Sequence, residues 1–279
     1  KCRKCAHAQD WKDMIKDITI GQYYQAESII HRLDPRVKLM GTLIFIISLF
    51  LGMNIWIYAF ITVALAAVIV ISKIPFKYMI RGLKSIVILI IISAVFNLFL
   101  TPGETLIKIW KLTITYEGLK TAVFMVVRLI YLILGTSLMT LTTTPNNLTD
   151  GLEKGLGFLK HIKVPVHEIA MIMSIALRFI PILVEETDKI MKAQMARGAD
   201  FENGNIIKRA KAMVPILVPL FVSAFRRAND LAMAMEARCY HGSEGRTKMK
   251  PLRYAKRDQI AYLCMFAYLG VLIAIKVIV

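Results

Sequence analysis

The chain has 279 residues, is 57% hydrophobic with a mean hydropathy of +0.58, and carries 36 Lys and Arg against 19 Asp and Glu. Its apolar residues are clustered, with no charge at all from Leu39 to Ser72, which excludes an ordinary soluble domain and reads as an integral membrane protein. The net charge of +17 comes without any RNA-binding or helix-turn-helix signature, so it reads as basic cytoplasmic loops rather than as a nucleic-acid surface.

Residues Lys1 to about Asp13 begin without Met and differ in character from the rest of the chain. They are taken as an appended, non-native leader, with Met14 as the native start. Cys2 and Cys5 with His7 lack a second ligand pair at structural-zinc spacing, so neither a metal nor a cofactor is expected. Ile18 to Lys38 is a polar, amphipathic lead-in. Pro35 restricts the backbone of Asp34, which places Asp34 as the N-cap of a helix starting just after it.

Spans are expected at about 37–51, 55–72, 85–100, 119–141 and 259–279, with a tight turn at Gly52-Met53-Asn54. The basic loop with Lys73, Lys77, Arg81 and Lys84 belongs in the cytoplasm, as does the amino terminus with Arg32, Arg36 and Lys38. Thr101-Pro102-Gly103-Glu104 breaks the third span, and alternation around Leu112–Tyr116 suggests a short external hairpin or interfacial stretch. Arg128 lies within the fourth span and is expected to face the bundle and pair with a polar group, or to snorkel. Asn97 in the third span reads as a packing hydrogen bond.

The segment from Pro145 to Arg257 is long and basic. Its charge-free runs Ile169–Leu177 and Ala212–Phe225 are each too short to span a bilayer, and Gly204-Asn205 separates them. With Pro181, Pro215 and Pro219 inside them, they read as long, bent helices at the inner leaflet. The expectation is an all-α polytopic protein: a membrane bundle over 14–144, a coupling-helix region over 145–257 and a last transmembrane helix over 258–279.

Ala196-Arg197-Gly198 and Ala237-Arg238-Cys239 lie 41 residues apart, each closing a helical-looking run. Both have Ile or Leu seven residues before the Arg, and Ala four and one before it. Arg complements the macrodipole at a helix C-terminus, and Gly198 suits a left-handed cap. Arg also offers a rigid fork of donors for carboxylates and carbonyls in a partner's groove. Two such ends projecting together would grip both halves of a dimeric partner. No G-x-x-x-x-G-K-[ST] loop occurs, so the nucleotide chemistry would belong to that partner.

In this setting the chain resembles the transmembrane T component of energy-coupling factor (ECF) transporters, vitamin and metal importers of the ABC class. The matching stretches are Gly21-Gln-Tyr23, Ser28, His31-Arg-Leu-Asp34-Pro35-Arg36-Val-Lys38, Ala-Leu-Arg178-Phe179-Ile-Pro181 with Glu185-Glu186, Ala193-Gln194-Met-Ala-Arg197-Gly198-Ala199 and Ala234-Met235-Glu236-Ala237-Arg238-Cys239-Tyr240. They run through nearly everything after Met14, and their order makes them specific together.

The resemblance implies a non-enzymatic coupling subunit in a bacterial cell membrane. Ala196, Arg197 and Gly198, with Ala237, Arg238 and Cys239, would dock two cytoplasmic ATPase subunits, expected as a heterodimer. Asp34, Pro35 and Arg36 would form a structural lead-in motif. The apolar faces of the long helices, with Met171, Met213, Pro215, Leu217, Pro219 and Phe221 as contacts, would cradle a separate substrate-binding S component. Family members commonly have Gly where Cys239 stands, which leaves the cap geometry of that end open and suggests two unequal ends. Methionine in this segment, from Met171 to Met235, fits an adaptable surface as well as core filling.

Two rival readings differ in class. A lipid-modifying membrane enzyme needs clustered acidic or His residues, and Glu185, Glu186 and Asp188 beside a basic helix are explained by solvated ion pairs. A self-sufficient secondary transporter needs inverted repeats and midplane polar groups, which the first four spans nearly lack.

Overall fold

A computed structural model describes residues 23–24, 26–52, 54–84, 86–102, 105–109, 112–199, 206–242 and 251–278. The proposed leader, with Cys2, Cys5 and Met14, lies outside the described residues, as does Gly204-Asn205.

Among the described residues there are nine α-helices: α1 Pro35–Ser48, α2 Ile55–Ser72, α3 Phe76–Lys84, α4 Val87–Leu100, α5 Tyr116–Thr142, α6 Pro145–Gly155, α7 Val166–Ala196, α8 Ile206–Glu236 and α9 Lys256–Ile278. A short 3₁₀ turn, Gly157–Ile162, precedes α7. Strands β1 Thr105–Ile109 and β2 Leu112–Thr115 pair antiparallel between α4 and α5, so the alternating stretch is a hairpin. The basic loop is no loop but the helix α3. Its Met79 is fully buried with Leu65, Ile74, Leu134 and Leu141, which draws the segment down onto α2 and α5.

The helix starts follow local chemistry. Asp34 accepts from the Arg36 amide at 3.0 Å and Pro35 occupies the first helical position, so α1 begins where the Asp-Pro pair directs. Asn54 caps α2 through the Trp56 amide at 3.3 Å, and Thr115 caps α5 through the Gly118 amide at 3.1 Å.

Helices α2, α5, α7 and α9 are long and apolar enough to cross a membrane. At 1.5 Å per residue, the fourteen-residue α1 and α4 reach only about 21 Å. In α7 the charge-free run is short, but the helix continues through Arg178 and Pro181 and on through the charged stretch Glu185–Lys192 to 31 residues. Helix α8 likewise runs unbroken through Pro215 and Pro219. Large apolar side chains such as Val70, Ile88 and Val277 are over 70% exposed, the pattern of surfaces that lipid or partner subunits cover.

The chain forms two compact units. Among the described residues, the first takes everything up to Gly155 and again from Leu252 onward; the second takes Leu156–Pro251. In the first, Leu49, Ile57, Ile61 and Leu272 make a second core where α1, α2 and α9 meet. A Cβ built on Gly135 would stand 2.5 Å from the Phe45 ring, so α1 and α5 approach as closely as they do because this position is glycine. Arg128 does pair with a polar group. Its Nε donates to the Tyr58 hydroxyl at 3.0 Å, and its guanidinium lies over the Phe50 ring at 5.0 Å. The Asn97 amide donates to the Ser93 carbonyl of its own helix at 2.8 Å, not across to another helix.

Candidate functional site

The two arginine triplets end α7 and α8, and their backbones close in the same way. At the first, Gly198 N–H bonds to the Met195 carbonyl at 3.0 Å and Ala199 N–H reaches back to the Gln194 carbonyl at 3.0 Å. At the second, Cys239 N–H bonds to the Glu236 carbonyl at 2.8 Å and Tyr240 N–H to the Met235 carbonyl at 3.0 Å. Both are Schellman motifs, with the arginine as the last cap residue and its successor left-handed. Gly198 has φ +89° and Cys239 φ +55°. The two ends are therefore equivalent in backbone conformation, not unequal, and the cysteine bears a conformational cost that the glycine does not.

Ala196, Arg197, Gly198, Ala237, Arg238 and Cys239 are all exposed. Among the described residues neither arginine side chain has an ion pair or hydrogen bond, so each fork is open to an acceptor from outside.

The ends do not project together. Arg227 on α8 bridges Glu186 on α7 at 2.9 Å, and the Gln194 amide donates to the Pro215 carbonyl at 3.5 Å. Moving forward along α7 therefore means moving backward along α8, and the pair is antiparallel. Arg197 lies eleven residues beyond Glu186, and Arg238 eleven beyond Arg227. Each tip thus stands about 16 Å from the bridge, in opposite directions. Glu186 is not merely one of a set of solvated charges beside its own helix; its partner sits 41 residues away on another helix.

On α8, Met213, Leu217 and Phe221 recur every four residues and are exposed, as are Pro215 and Pro219, whereas Ile216 between them is buried. One face of α8 is therefore apolar and uncovered. Met171 on α7 is half-buried.

The lead-in motif holds a feature that sequence reasoning misses. Asp258 is buried, and its carboxylate accepts from the Asp34 amide at 2.9 Å and from the Ala255 amide at 2.8 Å. The amino-terminal ends of α1 and α9 are thereby held side by side. No local signal marks Asp258, because its main partner is 224 positions away. Nearby, burial holds the His31 imidazole below its ordinary 6.5 and the Lys38 charge adds to this, against a hydrogen bond to the Tyr24 carbonyl that works the other way.

A family model described as cobalt transport protein matches residues 26–249. The chain is 59% identical over 254 residues to the energy-coupling factor transporter transmembrane protein of Clostridium kluyveri, covering 90% of this chain and 94% of that one. It is 47% identical to the protein so named from Bacillus subtilis, over 88% and 93% of the two chains. The chain belongs to the family of energy-coupling factor transporter transmembrane proteins. The family's multi-pass, helical character agrees with the four helices able to cross a membrane, and both arginine ends fall within the matched residues.

Proposed function

We propose that this chain is the coupling subunit of an ECF transporter, joining two cytoplasmic ATPases to a substrate-binding S component. The observation that carries the reading is the pair of identically capped helix ends, each presenting an arginine unpaired among the described residues, at equal distances from one interhelical bridge. Such a pair suits two related but separate docking grooves better than one. Closure of the ATPases on ATP would displace both tips, and the α7–α8 pair would pass that movement to an S component on the exposed apolar surface of α8, with Met213, Leu217 and Phe221 on one side and Pro215 and Pro219 on the other, and Met171 as a further contact. ATP hydrolysis belongs to the partners. The amino terminus is cytoplasmic, in a bacterial cell membrane, and the α7–α8 pair lies along the inner face, so that both of its opposed arginine tips reach the cytoplasm.

The test is copurification. Arg197→Glu should lose one ATPase, Arg238→Glu the other, and the double variant both. Wild-type stoichiometry in the double variant would sink the docking reading.

A further inference from the structure

The chain leaves the first unit after Gly155 and re-enters it at Leu252, and between these points it carries both arginine tips. Exit and return are tied together within the first unit. Lys154 Nζ donates to the Leu252 carbonyl at 3.1 Å, and an Arg36 amino group donates to the same carbonyl at 3.2 Å. The Arg36 guanidinium also lies over the Tyr254 ring at 4.6 Å, while its Nε, shut away from solvent, faces the Asp34 carboxylate at 3.5 Å.

Asp258 completes the knot. It is the third residue of α9, and Ala255 immediately precedes that helix. Its bond to the Ala255 amide is therefore the reciprocal half of a capping box. Its other oxygen serves the amide of Asp34, the N-cap of α1. One buried carboxylate thus satisfies orphan donors at the start of two helices, and removing it leaves the buried Asp34 amide without its partner and frees the Ala255 amide.

Packing of α1 on α9 does not depend on this. Ser48 and Tyr268 share a hydrogen bond at 2.8 Å farther along the pair, and Gly41 lets the Met265 side chain in close. What the knot adds is a tie between the two connections through which the arginine-bearing segment joins the first unit.

We propose that Arg36, Lys154, the Leu252 carbonyl and Asp258 form the transmission point of the coupling subunit. Asp258 and Arg36 are positioning residues. They turn displacement of the two connections into movement of the α1–α9 pair instead of letting it dissipate as slack. The proposal rests on the coupling reading above, and it needs a contiguous network with a measurable response at both ends.

The experiment is hydrogen exchange on the assembled complex with its ATPases and S component, in Mg-ADP and in Mg-ATP. In the wild type, the change of nucleotide should alter exchange both at 235–240 and at the first turns of α1 and α9. In Asp258→Ala and Arg36→Ala the response at 235–240 should remain, while that at α1 and α9 falls at least threefold. Asp258→Asn, which keeps an acceptor oxygen, should fall between. A merely structural role would raise exchange equally in both nucleotide states and leave the difference unmoved; that result overturns the proposal, as does a wild type with no nucleotide response at α1 and α9. If Asp258→Ala does not accumulate, Lys154→Ala, an exposed residue losing one contact, decides by the same criterion with an expected loss of about twofold. Should the Arg197→Glu, Arg238→Glu complex still assemble, the coupling reading itself fails, which is a separate outcome.

Discussion

Replacing Cys239 by glycine should strengthen the second arginine-bearing helix end. Cys239 sits at φ +55°, where an L-residue costs roughly 1–2 kcal/mol. Glycine removes that cost but returns roughly 0.5–1 kcal/mol through its greater freedom in the unfolded chain. The net gain is about 0.5–1 kcal/mol, or about a two- to fivefold slowing of exchange at the Tyr240 amide, which closes the cap onto Met235. The reverse change at the other end separates conformation from contact. A Cβ on Gly198 would meet nothing within 4 Å, so Gly198→Ala carries only the backbone cost. It should speed exchange at the Ala199 amide by a similar factor. Amide-resolved hydrogen exchange reads both, and neither variant should lose an ATPase. If Tyr240 exchanges faster in Cys239→Gly, the left-handed penalty is not what governs this end and the thiol itself makes a stabilising contact.

The Glu186–Arg227 bridge is about one-third exposed on both sides, so a double-mutant cycle through Glu186→Gln and Arg227→Gln should give a coupling of roughly 0.5–1 kcal/mol. A coupling of zero in thermal unfolding, with the charge-swapped pair no better than either single reversal, would refute its role in setting the register of α7 on α8. For His31 the folded imidazole binds its proton less readily than the unfolded one. Its contribution to stability is therefore complete above pH 6.5 and is lost as the pH falls through 6.5 toward the lower folded value. Melting temperature from pH 8 to 5 should fall less steeply in His31→Gln than in the wild type, and equal slopes would assign the pH response elsewhere.

Several features are legible in sequence because their causes are local. A charge-free run from Leu39 to Ser72 must find a membrane. Asp34 before Pro35 caps a helix through its own next residues, and the Ala-Arg-Gly pattern ends one through bonds spanning six positions. The extent of α7 is less legible, because charge-free length measures one property of a helix, whereas its hydrogen-bond ladder continues past Arg178, Pro181 and a charged second half.

Sequence by itself thus determined a polytopic helical protein, two arginine-tipped helix ends and the family. Tertiary structure alone decided that those ends face apart, because their orientation depends on the pairing of Glu186 with Arg227. It alone decided that Cys239 takes the glycine-like conformation, since a non-glycine residue leaves that choice to the energy of the whole cap. And it alone singled out Asp258, an ordinary first-turn acid of α9 until the chain brings the Asp34 amide from 224 positions away onto its free oxygen. Hydropathy and capping act over a few residues, so one sequence window contains their cause; a buried hydrogen bond between distant segments exists only once the helices have packed.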